Sequence, residues 1–282
     1  MIKTPLSTVI GGAFWTPGAT VINGKEIFSV FVKSLFANGE QGFWYDPNDL
    51  STMYRDAAGT IPVTAVGQAV GMIRDKSGRG NHAYQTTSAS RPILRQNAVT
   101  GANYLEFDGS DDFLQTNNID FTGTDEISIF SGLTKLRDNG SAILVELSTS
   151  TLSNNGSFHV EAPSGSGNKN YGVASKGTLR QIAQAEANYA APNSAVISAK
   201  SKISSDALSL SVNGILAVTA NYDQGVGNYG NYPLYIGRRG GTSLPFGGHV
   251  YGLIGVGKLT SDSETTAFEK ELAKRVGVTL NV

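Results

Sequence analysis

The 282-residue chain has no cysteine, which excludes a disulfide framework and any thiolate metal site. A chain this long can bury a core large enough to stand without cross-links, so the absence leaves the compartment open. Charge is also sparse: Asp, Glu, Lys and Arg make up 16% of residues, and the net charge is −1. The basic residues are dispersed apart from Arg238-Arg239, so nucleic-acid binding driven by counterion release is excluded. No run of about 18 apolar residues occurs, which argues against membrane insertion by a helix. Met1–Pro5 has no apolar signal core either. The expectation is a protein made in the cytoplasm, which acts outside a cell only after lysis or as part of a particle.

Motifs of catalysis are missing too. The three histidines, His82, His159 and His249, have no His or Cys two or four residues away, so a metal centre built from them is not expected. Nucleophile-elbow, zinc-protease and Walker patterns are absent. The segment Gly237-Arg238-Arg239-Gly240-Gly241 invites a phosphate-loop reading, but it lacks the Lys-Ser/Thr pair and a following helix. It reads as a loop between strands.

Glycine is abundant, with 34 residues scattered without period, as frequent tight turns between short strands require. From residue 43 to about 259, short apolar or alternating runs are broken by turn residues. Examples are 103–107, 127–133, 142–147, 157–161, 195–200, 207–212, 233–236 and 250–256. Such spacing predicts a mainly β antiparallel sandwich or barrel. The clearest hairpin is 208–218, where period-two alternation leads into Asn213-Gly214, the favoured two-residue turn.

The two ends read differently. Residues 1–23 are rich in Gly, Pro and Thr and carry Phe14 and Trp15, an arm suited to docking on another chain or on its own domain. Over 24–37, Ile27, Val30, Phe31, Ser34 and Leu35 form one helical stripe, with Asn23 and Glu26 as a variant capping box. Phe28, Val32 and Phe36 are apolar as well, so this helix must bundle with copies of itself or be buried against a partner. Residues 38–42 then open the main domain, 38–282. At the far end, Ser261 and Glu264 form a capping box, Phe268, Leu272 and Val276 repeat every four residues, and Gly277 terminates. That pattern predicts a helix over 261–277 lying on the sandwich.

Five pieces in order resemble a known fold. They are Gly42–Asp49, Asp75–Ala83, Phe107–Leu114, Leu234–Arg238 with Gly248–Ile254, and the closing helix. Together they are similar to a concanavalin A-like (laminin G-like) jelly roll of the kind found in bacteriophage virion proteins, over about residues 40–280. The resemblance implies a jelly-roll sandwich in a capsid- or tail-associated setting, with residues 1–37 as a separable anchoring and oligomerising segment. On that reading Phe14, Trp15, Ile27, Val30, Phe31 and Leu35 anchor the module to other virion proteins, and a homo-oligomer is expected.

Fold alone does not fix function, so each polar constellation needs its own test. A retaining glycosidase needs two carboxylates on one face; Glu106 and Asp108 would share a face, but Gly109-Ser110 ends that strand. The alternative has Leu105 and Phe107 in the core and Asp108-Gly109 in the turn. Asp108-x-Ser110-x-Asp112 imitates the start of a calcium loop, yet Phe113 and Ile119 stand where the loop needs Gly and Glu. A calcium ion at Asp108 and Asp112 is the weaker alternative to an Asp-stabilised turn; no other cofactor is implied. Tyr222, Asp223, Asn228, Tyr229, Asn231 and Tyr232 supply aromatic faces and amides in one segment. These suit a host-surface glycan, a subunit interface, or an ordered loop. The leading expectation is a non-enzymatic virion structural protein, a capsid decoration or tail fibre. A glycan-binding receptor module is the alternative, and a glycoside hydrolase the weaker one.

Overall fold

The computed structural model describes residues 8–10, 13–15, 24–165 and 169–281. Strands β1 (Thr8–Ile10) and β2 (Ala13–Trp15) pair antiparallel, and α1 (Gly24–Ser34) follows. The chain continues through β3 (Gly42–Tyr45), β4 (Met53–Tyr54), β5 (Met72–Ile73), β6 (Ala83–Tyr84), β7 (Ile93–Gln96), β8 (Asn103–Asp108), β9 (Leu114–Asp120) and β10 (Glu126–Lys135). Next come β11 (Ile143–Leu147), β12 (Ser157–Ser164), β13 (Asn170–Lys176), β14 (Arg180–Gln184) and β15 (Asn193–Lys202). Last are β16 (Ala207–Val212), β17 (Ile215–Ala220), β18 (Asn231–Ile236), β19 (Gly247–Val256) and α2 (Asp262–Val276).

These strands form two antiparallel sheets, as the spacing of apolar runs predicts. The first runs β17-β16-β15-β10-β19-β8-β7, with β3 also paired to β19; the second runs β14-β13-β12-β11-β18-β9-β6-β5-β4. Their inner faces enclose the main core, which includes Phe43, Leu105, Phe107, Leu114, Val145, Phe158, Leu210 and Leu253. Alternation along each strand sends the intervening residues outward. The β16–β17 hairpin forms where Asn213-Gly214 predicts it, with φ of 52° and 82° at the two turn residues.

A second apolar cluster lies between the first sheet's outer face and the two helices. Ser261 caps α2 through the full capping box, and Gly277 closes it at φ 84°. Phe268, Leu272 and Val276 are buried, as their period predicts. Gly132 and Gly252 face each other across β10 and β19 and let α2 approach closely. A Cβ at Gly132 would stand 2.7 Å from Val276 Cγ2, and one at Gly252 3.1 Å from Leu272 Cδ2.

Helix α1 corrects the sequence reading. In α1 and the turn that follows it, Phe28, Val32, Leu35 and Phe36 are buried, Phe31 is half-buried, and Val30 is 66% exposed. The contact face is therefore turned by about one position from the 27/30/31/34/35 stripe. It is also covered from within. Phe28 meets Trp44 edge-on at 6.3 Å and Phe268 at 5.9 Å, and Phe31 lies 5.1 Å from Phe268. The apolar excess that suggested a partner is met by the chain's own sandwich and C-terminal helix. The side chains of Phe14, Trp15 and Ile27 lie outside the described residues. Neither helix is long and apolar enough to cross a membrane.

Candidate functional site

The Tyr222–Tyr232 segment does not form one surface. Tyr222 is 71% exposed, but Tyr229 is 1% exposed and packs edge-on against Phe158 at 5.5 Å. The Tyr229 hydroxyl shares a 2.8 Å hydrogen bond with Ser175, and burial pushes its pKa up to about 12. Tyr232 packs against the main core. Asn228 donates to Thr122 O at 2.6 Å, Asp223 accepts from Gly225 N at 2.7 Å, and the backbone carbonyl of Asn231 accepts from Asn118. Tyr229 therefore cannot offer a ring face to a sugar, and Tyr232 is part-buried against the core. The segment is a pinned crossover between sheets.

The acidic turn after β8 resolves similarly. Leu105 and Phe107 point into the core, while Glu106 is half-buried and paired with Arg95 at 2.6 Å. Asp108, Asp111 and Asp112 do converge, with ligand atoms within 4.8 Å of one another. Three of their six carboxylate oxygens accept hydrogen bonds within the turn or from its neighbours. Asp108 Oδ1 accepts from the backbone of Ser110 at 2.7 Å and of Asp111 at 3.2 Å, Asp112 Oδ2 accepts from Asp108 N, and Ser90 donates to Asp111. Arg137 donates to Gly109 O and lies where a Cβ of Gly109 would be, so a cation already sits beside the turn. Burial raises the Asp112 pKa to about 6, helped by the neighbouring carboxylates. The Asp-stabilised turn accounts for these contacts.

The outer face of the second sheet carries a row the sequence reading missed. Directly paired residues on adjacent strands share a face. The pairings Tyr54↔Met72, Met72↔Tyr84, Tyr84↔Gln115, Gln115↔Tyr235, Tyr235↔Glu146 and Glu146↔His159 place these seven side chains in one line across β4, β5, β6, β9, β18, β11 and β12. Their sequence neighbours Met53, Ile73, Ala83, Leu114, Ile236, Val145 and Val160 fill the core beneath. Tyrosines recur on every second strand, at intervals of about 9.5 Å.

One half of this row is open. A hollow of about 440 Å³ is lined by Ala57, Met72, His82, Tyr84, Thr86 and Asn117. Tyr84 donates to Asn117 Oδ1 at 3.0 Å. His82 reaches this rim because the Asp75–Ala83 turn is built around a buried carboxylate. Asp75 accepts from Trp44 N, Ser77 N, Ser77 Oγ and Asn81 N at 2.6–3.1 Å. The Asp75 backbone N–H in turn donates to His82 Nδ1 at 3.0 Å, which leaves the ring proton on Nε2.

The other half is closed. Glu146 and His159 are fully buried and Glu161 nearly so. Arg239 donates to Glu146 at 2.8 Å and to His159 Nδ1 at 3.2 Å, and Thr151 lies 2.7 Å from the same nitrogen. Because arginine can only donate, Nδ1 is the acceptor, and the ring proton sits on Nε2, 3.2 Å from Glu161 Oε1. Burial alone would raise both carboxyls; the Arg239 guanidinium at Glu146, and the nearby His159 Nε2–H with the Ser164 hydroxyl at Glu161, hold each below the ordinary value. Two carboxylates on one face are what a glycosidase needs, but these two are sealed from substrate by Arg239 and Thr151. The arginine loop 237–241, once freed of the phosphate reading, is the lid of this cluster.

Another hollow, of about 680 Å³, lies elsewhere, between α1, α2 and the loops after β3 and β7. Its charged groups are paired among themselves: Arg275 with Asp46 at 2.7 Å and Lys76 with Asp49 at 2.7 Å. Lys76 also stands over the Trp44 ring at 4.5 Å. These contacts clamp the helices to the sandwich.

No family model matches this chain, and no curated protein matches it in sequence. Solved structures do match. Domain 4 of AbnA, a GH43 extracellular arabinanase from Geobacillus stearothermophilus in complex with arabinotriose, aligns with TM-score 0.54 and 11% identity, over 82% of this chain and 98% of that one. The ligand binding domain of botulinum neurotoxin serotype D, in complex with N-acetylneuraminic acid, gives 0.53 and 11%, over 73% and 48%. Trypanosoma rangeli sialidase in complex with the inhibitor DANA gives 0.50 and 11%, over 88% of this chain and 39% of that one. The chain thus spans about half or less of the toxin and sialidase chains. At such identities the likeness establishes the fold alone, a sandwich of two antiparallel sheets.

Proposed function

We propose that this protein is a non-catalytic glycan-binding module, with its site on the open half of the second sheet's outer face. The observation that carries this reading is the single row Tyr54–Met72–Tyr84–Gln115, four part-exposed side chains, with Tyr235 next in line but buried at 8% exposure. It offers aromatic and amide groups beside a hollow of about 440 Å³, while the carboxylates farther along are buried. Sugars are held by stacking on aromatic faces and by a few oriented polar groups; Tyr84, Asn117, Gln115 and His82 supply both. The sandwich is shared with modules whose structures hold arabinotriose and N-acetylneuraminic acid, which supports a saccharide ligand.

The glycoside-hydrolase alternative loses both of its carboxylate pairs. Glu106 is matched to Arg95, and Glu146 with Glu161 is occluded. The virion-decoration reading loses one of the features that motivated it, since α1 packs on its own sandwich; the missing catalytic motifs and the sequence resemblance remain behind it. The test is binding to a glycan array by the full chain and by Tyr84→Ala. Saccharide binding that is lost in Tyr84→Ala at unchanged melting temperature is the expected result. Binding unaffected by Tyr84→Ala but abolished by Tyr222→Ala would move the site to the other loop and refute this one.

A further inference from the structure

Three arginines flank the tyrosine row. Arg74 places its guanidinium 4.5 Å from the centre of the Tyr54 ring and is otherwise exposed. Arg91 is tied to three backbone carbonyls, Gln85 O at 3.0 Å, Arg55 O at 2.9 Å and Thr86 O at 3.1 Å. Thr86 lines the hollow, so Arg91 is bonded to one of the hollow's lining residues. Arg55, next to Tyr54, is exposed. Among the described residues, none of these three arginines has a carboxylate within salt-bridge distance; the ion pairs lie elsewhere. The nearby carboxylates are engaged locally. Asp56 accepts from Thr60 and Ile61, and Asp111 accepts from Ser90.

A guanidinium held by neutral carbonyls keeps its full charge without a counter-ion, and its planar fork matches a carboxylate. Arg74 is also held over the Tyr54 ring, as cation–π contact favours. We infer that the sugar taken by this face is acidic, a sialate or uronate whose carboxylate is met by Arg74 and Arg91 while its ring lies toward Tyr84. This rests on the glycan-binding reading above and narrows it to a class of ligand.

Titration calorimetry on the full chain separates the two ideas. Sialyllactose is compared with lactose, and trigalacturonate with its methyl ester. At low salt the acidic member of at least one pair is expected to bind about tenfold tighter than its neutral counterpart, and the preferred pair tells sialate from uronate. That preference should shrink with added salt and disappear in Arg74→Gln, whose exposed position leaves the melting temperature unchanged. Binding of the neutral members should survive in Arg74→Gln and be lost in Tyr84→Ala. Equal binding of acidic and neutral members by the unmodified chain, with Tyr84→Ala losing both, overturns the acidic assignment and leaves the glycan reading standing. An acidic preference that persists in both Arg74→Gln and Arg91→Lys overturns the role of these arginines. Failure of every saccharide to bind removes both.

Discussion

Arg239 joins a turn that the sequence marks only as glycine-rich to a carboxylate buried on another strand. Removing it as Arg239→Met leaves Glu146 without its cation in a closed site, a loss of about 3–5 kcal/mol for a broken buried pair. The sign of its pH dependence follows from linkage. A carboxylate held below its ordinary value contributes stability that is present above its unfolded pKa of about 4.3 and is lost as pH falls through the folded value. Denaturant melts of Arg239→Met should therefore fall well short of the unmodified protein at pH 7 and approach it in acid; a constant gap would contradict the pairing. Asp112 runs the other way, because its folded pKa is raised to about 6. Its protonated form contributes stability present below about pH 3.9 and lost as pH rises through about 6. Asp112→Asn, which can still accept from Asp108 N, should be about 1–2 kcal/mol more stable than the unmodified protein at pH 7.5 and match it at pH 4. A variant less stable at both values would show the carboxylate to be needed. Single residues were the least legible part of the sequence. Tyr229 and Tyr222 sit in the same polar company, yet one is core and the other solvent-exposed. The backbone bonds Tyr229 N to Thr124 O and Gly230 N to Gly156 O fold the segment inward, and composition cannot express that.

Elements whose signals are local were read correctly. The capping box, the four-residue stripe and Gly277 define α2 within a residue at each end, and Asn-Gly defines the β16–β17 hairpin. How α2 is seated is a different matter, because it depends on Gly132 and Gly252 lying opposite each other on strands more than a hundred residues apart. Gly132→Ala puts a methyl group into Val276 and should cost about 1–3 kcal/mol through overpacking, read as a lowered melting temperature with loss of helix protection in hydrogen exchange. Unchanged protection over 262–276 would mean the helix is not seated by this contact. Helix α1 shows the same division. Its existence was readable, but its buried side was misjudged because apolar residues on several faces leave the rotation undetermined until Trp44 and Phe268 are in place.

At the scale of the whole molecule, α1 is part of the folded unit and covers aromatic core, so deleting residues 1–37 should destabilise the protein. Phe28, Val32, Leu35 and Phe36 each stabilise by about 1.5–3 kcal/mol when fully buried, and the loss would appear as a several-degree drop in melting temperature with new binding of an apolar dye. A truncated chain that melts like the full one would restore the view of a separable anchor. The sequence by itself determined the mainly β sandwich, its hairpin and its closing helix, because period, turn chemistry and capping act over a few residues. It did not contain the row from Tyr54 to His159, whose seven members come from seven strands spread over more than a hundred positions. Strand order and register decided which of them share a face, and burial decided which remain open to a ligand. Both are properties of the assembled sheets, since they depend on partners far apart along the chain.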